Sequence, residues 1–392
     1  MPPSLRSEFL LEPGFTYLNH GSFGACPRKV FNVYQHYQYE LERHPGAFMH
    51  RLPQLLAESR AELAHYLNID AADVVYFPNP TTALSAAFRS MHLQPGDEIL
   101  STDHEYGAMD RAWRFVCQKT GARYIRQPIP LPVTSPTAVA DALWAGVTER
   151  TRIIFLSHIT SPTALILPVK EIARRARAAG ILSIVDGAHA PGQIAVDLAD
   201  LGVDIYAGSC HKWMCAPKGT AFLYARREVQ SLLEPLVVSF GWESDHPGPS
   251  RFQDYYEWQG TRDPSSYLTV PAVISFQAEH DWPSVRSRCR ALASDTRRRV
   301  DALTGLDPIC PDSPEWFAQM ASVRLPDVDV AELNRRLYNE FHIEVPTMRW
   351  NNQPLMRLSF QAYNSEEDAD TLLNALERLL PELQASSQAG RA

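Results

Sequence analysis

The run Ser209-Cys210-His211-Lys212-Trp213 follows directly on the apolar stretch Val203 to Ala207. An unpaired ammonium at the end of a core strand is costly in a low dielectric. Such a lysine is paired, snorkels to water, or serves as an amine in chemistry. One apolar run earlier, Val185-Asp186-Gly187-Ala188-His189 ends in a carboxylate with an imidazole three residues on. Aspartate at such a place is also an ordinary turn residue. Taken together, the amine and the carboxylate have a joint use in a pyridoxal 5′-phosphate (PLP) site. There the lysine forms a Schiff base and the carboxylate keeps the pyridine nitrogen protonated, so that the ring withdraws electrons from a substrate Cα. A third feature is Phe77-Pro78-Asn79-Pro80-Thr81-Thr82, a strand running into polar residues at a helix start. Free N–H groups and the positive dipole end suit a phosphate there. A plain helix cap accounts for Thr81 or Thr82 equally well.

These residues need a frame. Between about Asp73 and Arg226 the pattern alternates between short β-rich apolar runs and longer helical stretches, which is an α/β signature. Strands are predicted at Val74 to Phe77, Glu98 to Leu100, Tyr124 to Ile125, Arg152 to His158, Ile181 to Val185, Val203 to Ala207 and Thr220 to Tyr224. Helices are predicted at Thr82 to Met91, Ala108 to Thr120 and Pro168 to Ala179. The Arg152 run is nearly all apolar, as a central strand covered on both faces requires. A mostly parallel sheet gathers its ligands at the carboxyl ends of its strands. Gly, Pro, Asp and aromatics crowd Phe240 to Pro264, the composition of a long functional loop. Beyond it, a helix at Val285 to Leu303, a strand at Ser322 to Leu325, a helix at Ala331 to Phe341 and a strand at Met356 to Phe360 form a smaller α+β unit. Arg297, Arg298 and Arg299 read as the solvated face of the first of these helices, and Ala385 to Ala392 as a frayed tail. The domain boundaries expected are an N-terminal arm at 1–17, a large cofactor-binding domain at 18–265 and a small C-terminal domain at 266–392.

Composition narrows the classes. A chain of 392 residues with 45% hydrophobic and 21% charged side chains has the material for a sizeable core, normally in two domains, and is not disordered. Its net charge of −8 supplies no field to attract a nucleic acid. The six cysteines, Cys26, Cys117, Cys210, Cys215, Cys289 and Cys310, include no C-x-x-C pair, so neither a disulfide framework nor a metal site is expected. Cys210 and Cys215 flank the lysine as small apolar residues. Met1 to Pro13 has no run suited to a signal peptide, and no stretch reaches the ~18 apolar residues of a membrane span. A soluble, cytoplasmic protein without a membrane partner is expected.

Six segments resemble the class V, fold type I PLP enzymes, and within them the isopenicillin N epimerase-like branch. They are Tyr17-Leu18-Asn19-His20-Gly21-Ser22-Phe23-Gly24, Asp103-His104-Glu105-Tyr106-Gly107-Ala108-Met109, Ser161-Pro162-Thr163, Asp186 to Gly192, Ser209 to Trp213, and Gly260-Thr261-Arg262-Asp263. The resemblance implies a large domain with a mostly parallel, seven-stranded type of sheet and a smaller α+β domain. It implies Lys212 as the Schiff-base lysine, Asp186 at the pyridine nitrogen, and His189 beside the phenolic oxygen with Ser161 nearby. Thr81, Thr82, Ser209 and His211 would hold the phosphate. Thr261 would reach the phosphate of a neighbouring subunit, which makes a homodimer with a shared site. Tyr106 stands where cysteine desulfurases place a histidine stacked on the ring, and tyrosine supplies the same flat face. Arg357, in Met356-Arg357-Leu358-Ser359, matches the arginine that holds a substrate α-carboxylate by bidentate geometry, and Asn19 and His20 would line that pocket. Ala164 stands where the branch carries glycine.

In such enzymes the freed lysine removes the Cα proton, and the fate of the carbanion decides the activity. Cysteine desulfurases need a mobile cysteine on a loop of the small domain, a role that neither Cys289 nor Cys310 fits. The expected activity is a C–S β-lyase acting on a non-standard amino acid or cysteine S-conjugate in specialised metabolism, including antibiotic biosynthesis. Epimerisation is the second choice, followed by transamination or decarboxylating deamination. A non-catalytic PLP-fold binding protein is the alternative from another class.

Overall fold

The computed structural model describes residues 4–248 and 250–389. In chain order its strands are β1 (Thr16–Tyr17), β2 (Val74–Phe77), β3 (Glu98–Thr102), β4 (Arg123–Gln127), β5 (Thr151–Ser157) and β6 (Leu182–Gly187). There follow β7 (Ile205–Ser209), β8 (Ala221–Ala225), β9 (Met320–Arg324), β10 (Ile343–Glu344), β11 (Thr347–Trp350) and β12 (Gln353–Ser359). The seven apolar runs of the first half pair into one sheet in the order β2-β8-β7-β6-β5-β3-β4. Only β8 runs against its neighbours in it.

Continuous apolarity makes this sheet a middle layer. Ile153, Phe155, Ile184, Ala207 and Leu223 point to one face, and Ile154, Leu156, Val185, Tyr206 and Phe222 to the other. On the first face Phe88 and Trp113, from the helices Pro80–Arg89 and Gly107–Thr120, stack at 3.8 Å and cover Phe155. The second face is continuous with the core of the C-terminal part, where β11-β12-β9 form an antiparallel sheet against the helices Trp282–Thr304 and Val330–Phe341, and the helix Glu366–Ala389 packs on both of these. The N-terminus is folded into that part, since β1 pairs in parallel with β10, Tyr17 opposite Glu344.

Several sequence expectations need correction. Arg297 is not on a solvated face: it is buried, donates to the Cys310 carbonyl at 3.1 Å and lies over the Phe317 ring. Its neighbours Arg298 and Arg299 are exposed and ion-paired. The segment from Phe240 to Pro264 is not all loop, because Ser250 caps a helix at Arg251–Glu257 that buries Phe252, Tyr255 and Tyr256. Residues up to Ala389 belong to the final helix rather than to a frayed tail, and the last three positions of that expectation lie outside the described residues. The helices Arg28–Arg43 and Pro45–Leu67 and the final helix were not expected at all. No described helix is long and apolar enough to cross a membrane.

Candidate active site

All the parallel strands of the sheet end on one edge, and the residues with chemical potential lie at those ends or just beyond them. Register places Ser157 opposite Asp186, and Asp186 opposite Ala207. Beyond β7 the chain makes a tight turn in which the Cys210 and His211 N–H groups both reach the Thr220 carbonyl and the Cys215 N–H reaches the Lys212 carbonyl. Lys212 leaves this turn with its Nζ 3.5 Å from His189 Nε2. Burial, reinforced by the Arg357 cation and opposed by Asp186, lowers the Lys212 amine to a pKa of about 8.

Asp186 is 5% exposed and accepts the Ala188 N–H at 2.9 Å. Among the described residues no cationic side chain lies within ion-pairing distance of it, and burial raises its pKa against the pull of that N–H and of Lys212. A cationic ring nitrogen placed against it would supply the missing partner. The Trp213 indole N–H donates to His189 Nδ1 at 3.2 Å. An indole only donates, so His189 carries its proton on Nε2, on the side of Lys212. Burial and the Lys212 charge hold this ring neutral. It is a fixed N–H donor, suited to a phenolate oxygen.

At the phosphate end, the Ser209 hydroxyl is buried with no hydrogen-bond partner among the described residues, an orphaned donor that an anion would satisfy. His211 faces the Thr220 carbonyl through Nδ1 at 2.9 Å, and burial lowers its pKa to about 4. The helix Pro80–Arg89 is capped by Asn79, whose Oδ1 accepts from both the Thr82 N–H and the Thr82 hydroxyl; Thr81 is exposed on the first turn.

At the carboxylate end, Arg357 is 4% exposed and has no acidic partner among the described residues. One terminal nitrogen donates to the Ser161 carbonyl at 2.8 Å and its hydroxyl at 3.2 Å, and the other to the Ser22 hydroxyl at 2.9 Å. Its Nε is buried without a partner, and burial lowers its pKa to about 10. A buried guanidinium without a counter-ion is the arrangement a substrate carboxylate would complete. Ser161 is thus drawn to Arg357. It is presented by a turn that His104 anchors, with Nδ1 at 2.7 Å from the Thr163 hydroxyl. Ala164 in this turn has φ +56°, a left-handed conformation that explains why glycine is the residue expected there.

One expected residue, His20, stands elsewhere. His20 does not line a pocket: it is fully buried, with Nδ1 at 3.0 Å from the Tyr363 hydroxyl and Nε2 at 2.9 Å from the Lys212 carbonyl, so it props the lysine turn from behind. Thr261 is exposed and shares no contact with Thr82, Ser209 or His211 among the described residues. Tyr106 stands immediately before the helix Gly107–Thr120 and is 46% exposed, an aromatic side chain left largely uncovered. Sequence reasoning assigned no role to Trp213, Ser22, Glu105 or Glu344. Glu105 is buried between the Thr102 and Ser157 hydroxyls, each donating at 2.6 Å, and burial raises its pKa to about 8. Ser22 and Glu105 sit inside the quoted segments, whereas Glu344 lies in none. Cys289 and Cys310 are buried, and their thiols are raised to about 12 and about 11.

An orphaned hydroxyl, an unpaired buried carboxylate, a neutral N–H donor and an amine of low basicity converge on one sheet edge, and this donor set fits PLP. The family model for aminotransferase class-V matches residues 17–372. The chain belongs to the class-V aminotransferase family.

It is a PLP-dependent enzyme of lyase or epimerase type. Isopenicillin N epimerase of Amycolatopsis lactamdurans is 38% identical over 95% of this chain and 97% of the relative. The epimerase of Streptomyces clavuligerus is 36% identical over 96% and 98%. A putative L-cysteine desulfhydrase of Oryza sativa subsp. japonica is 30% identical over 98% of this chain and 87% of its own length. Among solved structures, apo cysteine desulfurase from Thermococcus onnurineus NA1 superposes with a TM-score of 0.84 at 20% identity, covering 98% of this chain and 100% of that one. A C-DES variant with glycine covalently linked to its PLP cofactor gives 0.82 at 22% identity, covering 96% and 100%. Both share the fold.

Proposed function

We propose that the enzyme is a C–S β-lyase acting on a cysteine S-conjugate or another non-standard α-amino acid. PLP, when bound at the strand ends, supplies an electron sink for the substrate Cα. The chain's own groups do the rest. Lys212 would hold the cofactor through its amine, and the same amine would serve as the base for the Cα proton. Asp186 would keep the ring nitrogen cationic, His189 would donate to the phenolic oxygen, and Ser209, His211 and the start of the helix Pro80–Arg89 would receive the phosphate. Arg357 grips the α-carboxylate. The observation that carries this reading is geometric: among the described residues the Lys212 amine stands 3.5 Å from the His189 ring, and the buried Arg357 guanidinium has no acidic partner and is held by Ser161 and Ser22. Deprotonation by Lys212 followed by loss of a thiolate from Cβ, with water then releasing pyruvate and ammonia, would need no second acid on the opposite face of Cα, as epimerisation does.

Epimerisation is the second reading, supported by two isopenicillin N epimerases at 38% and 36% identity over nearly the whole chain. Incubating the holoenzyme with S-substituted L-cysteines separates the two. Pyruvate, ammonia and thiol in equal amounts are expected, whereas loss of optical rotation without pyruvate means epimerisation, and silence in both overturns both.

The proposal includes a homodimer in which Thr261 of each subunit completes the phosphate seat of the other. The exposed position of Thr261, and the exposed side chains of Val238, Phe240 and Trp242 on the same long segment, support it.

A further inference from the structure

Glu344 ends β10 in the C-terminal part and is joined to Arg357 by a chain of directional hydrogen bonds. The Asn19 amide nitrogen donates to Glu344 Oε1 at 3.0 Å, the Ser22 hydroxyl donates to Asn19 Oδ1 at 2.5 Å, and an Arg357 terminal nitrogen donates to the Ser22 oxygen at 2.9 Å. Each step dictates the next. A carboxylate only accepts, so Glu344 turns the amide of Asn19 with its NH₂ outward and its oxygen toward Ser22. That oxygen takes the single hydroxyl proton of Ser22, which leaves a lone pair facing the guanidinium. If the amide were free to flip, its NH₂ would face Ser22, the hydroxyl proton would rotate toward Arg357, and donor would oppose donor at a buried cation.

We propose that Glu344 is a positioning residue for substrate carboxylate capture, acting through Asn19 and Ser22 to hold the Arg357 guanidinium in its binding geometry. The inference rests on the proposed role of Arg357 and goes one step beyond it. Asn19 then belongs to the relay, and its 7% exposure fits a residue that supports the pocket from behind. The relay also crosses the fold: Glu344 and Arg357 come from the C-terminal part, and Asn19 and Ser22 from the N-terminal segment whose His20 supports Lys212.

The test uses the holoenzyme and two probes, L-alanine and L-alaninamide, which share a carbon skeleton and differ in the carboxylate and in the amine basicity that it sets, so that each probe is compared between variants at one pH. Neither has a leaving group on Cβ, so no elimination consumes the probe while binding is read from the shift of the near-visible cofactor band. In the wild type, a preference for alanine of about 100-fold is expected from a buried charge-assisted pair. Its absence overturns the role of Arg357 itself. In Glu344→Gln, whose amide cannot dictate the orientation of Asn19, the apparent Kd for alanine is expected to rise about tenfold. That for alaninamide should stay within about twofold, with the cofactor band unmoved. Glu344→Asp is expected to recover part of the loss. Equal weakening of both probes means general damage and overturns the proposal, as does an unchanged alanine affinity. Ser22→Ala provides a second route should Glu344→Gln fail to fold: it must weaken alanine selectively too, and an unchanged selectivity overturns the relay.

Discussion

The Lys212 ammonium is penalised first by burial and then by Arg357, and Asp186 only partly offsets them, so its pKa lies near 8 rather than at the ordinary 10.5. The sign follows directly. Below about pH 8 the folded apoprotein carries an ammonium that cannot attack an aldehyde; above it the amine is free. Uptake of added PLP, followed by its near-visible band, is expected to rise with pH to about 8 and then level off, whereas an ordinary lysine would keep climbing toward pH 10. Because the unfolded chain binds this proton more tightly, the apoprotein also gains stability as pH rises between about 8 and 10.5. Arg357→Gln removes the second penalty and is expected to move the inflection upward. A wild-type inflection above about 9.5, or one that Arg357→Gln leaves in place, contradicts the electrostatic account. Lys212→Ala should cut turnover by at least about 10³-fold, and residual activity near wild type would remove the lysine from the chemistry.

At the scale of elements, the deciding piece is the N-terminal segment from β1 through the short helix His20–Phe23 to Gly24. Gly24 has φ +71°, and a Cβ there would meet the His211 carbonyl oxygen, one residue before Lys212. Gly24→Ala is therefore expected to destabilise the fold by about 2 kcal/mol or more and to weaken PLP retention, because the lysine turn must shift. Urea unfolding checks the first effect and cofactor loss on dialysis the second; a variant normal in both would show that the segment is no support for the turn. The sheet and its chemical edge were legible in the sequence because its central strands are mostly apolar and the reactive residues lie at or within three positions of the ends of β6 and β7. The support was not. Arg297 and His20 look like surface or pocket residues until long-range partners, the Cys310 carbonyl and the Lys212 carbonyl, are known. Glu344 has no local pattern at all, since its meaning comes from pairing β10 with β1 across more than three hundred residues. The helix Arg251–Glu257 was obscured by the Gly and Pro around it.

At the scale of the molecule, the segment between β8 and the helix Arg251–Glu257 carries Val238 at 69% and Phe240 at 84% exposure, with Trp242 also uncovered. A cluster of this kind on a chain with net charge −8 does not favour solution on its own account and calls for a cover. The proposed homodimer supplies one and gives Thr261, on the far side of the helix Arg251–Glu257, an occupation. If a second copy covers these side chains, replacing Val238 and Phe240 together by aspartate buries two charges in the interface and should shift sedimentation from dimer toward monomer. Activity should fall with the dimer fraction. Thr261→Ala separates contact from assembly: it should leave the dimer intact while weakening PLP retention about tenfold, as expected for losing one hydrogen bond to a charged group. A wild type that sediments as a monomer while holding PLP and turning over substrate would remove the shared site, and the phosphate would then rest on Ser209, His211 and Thr82 alone.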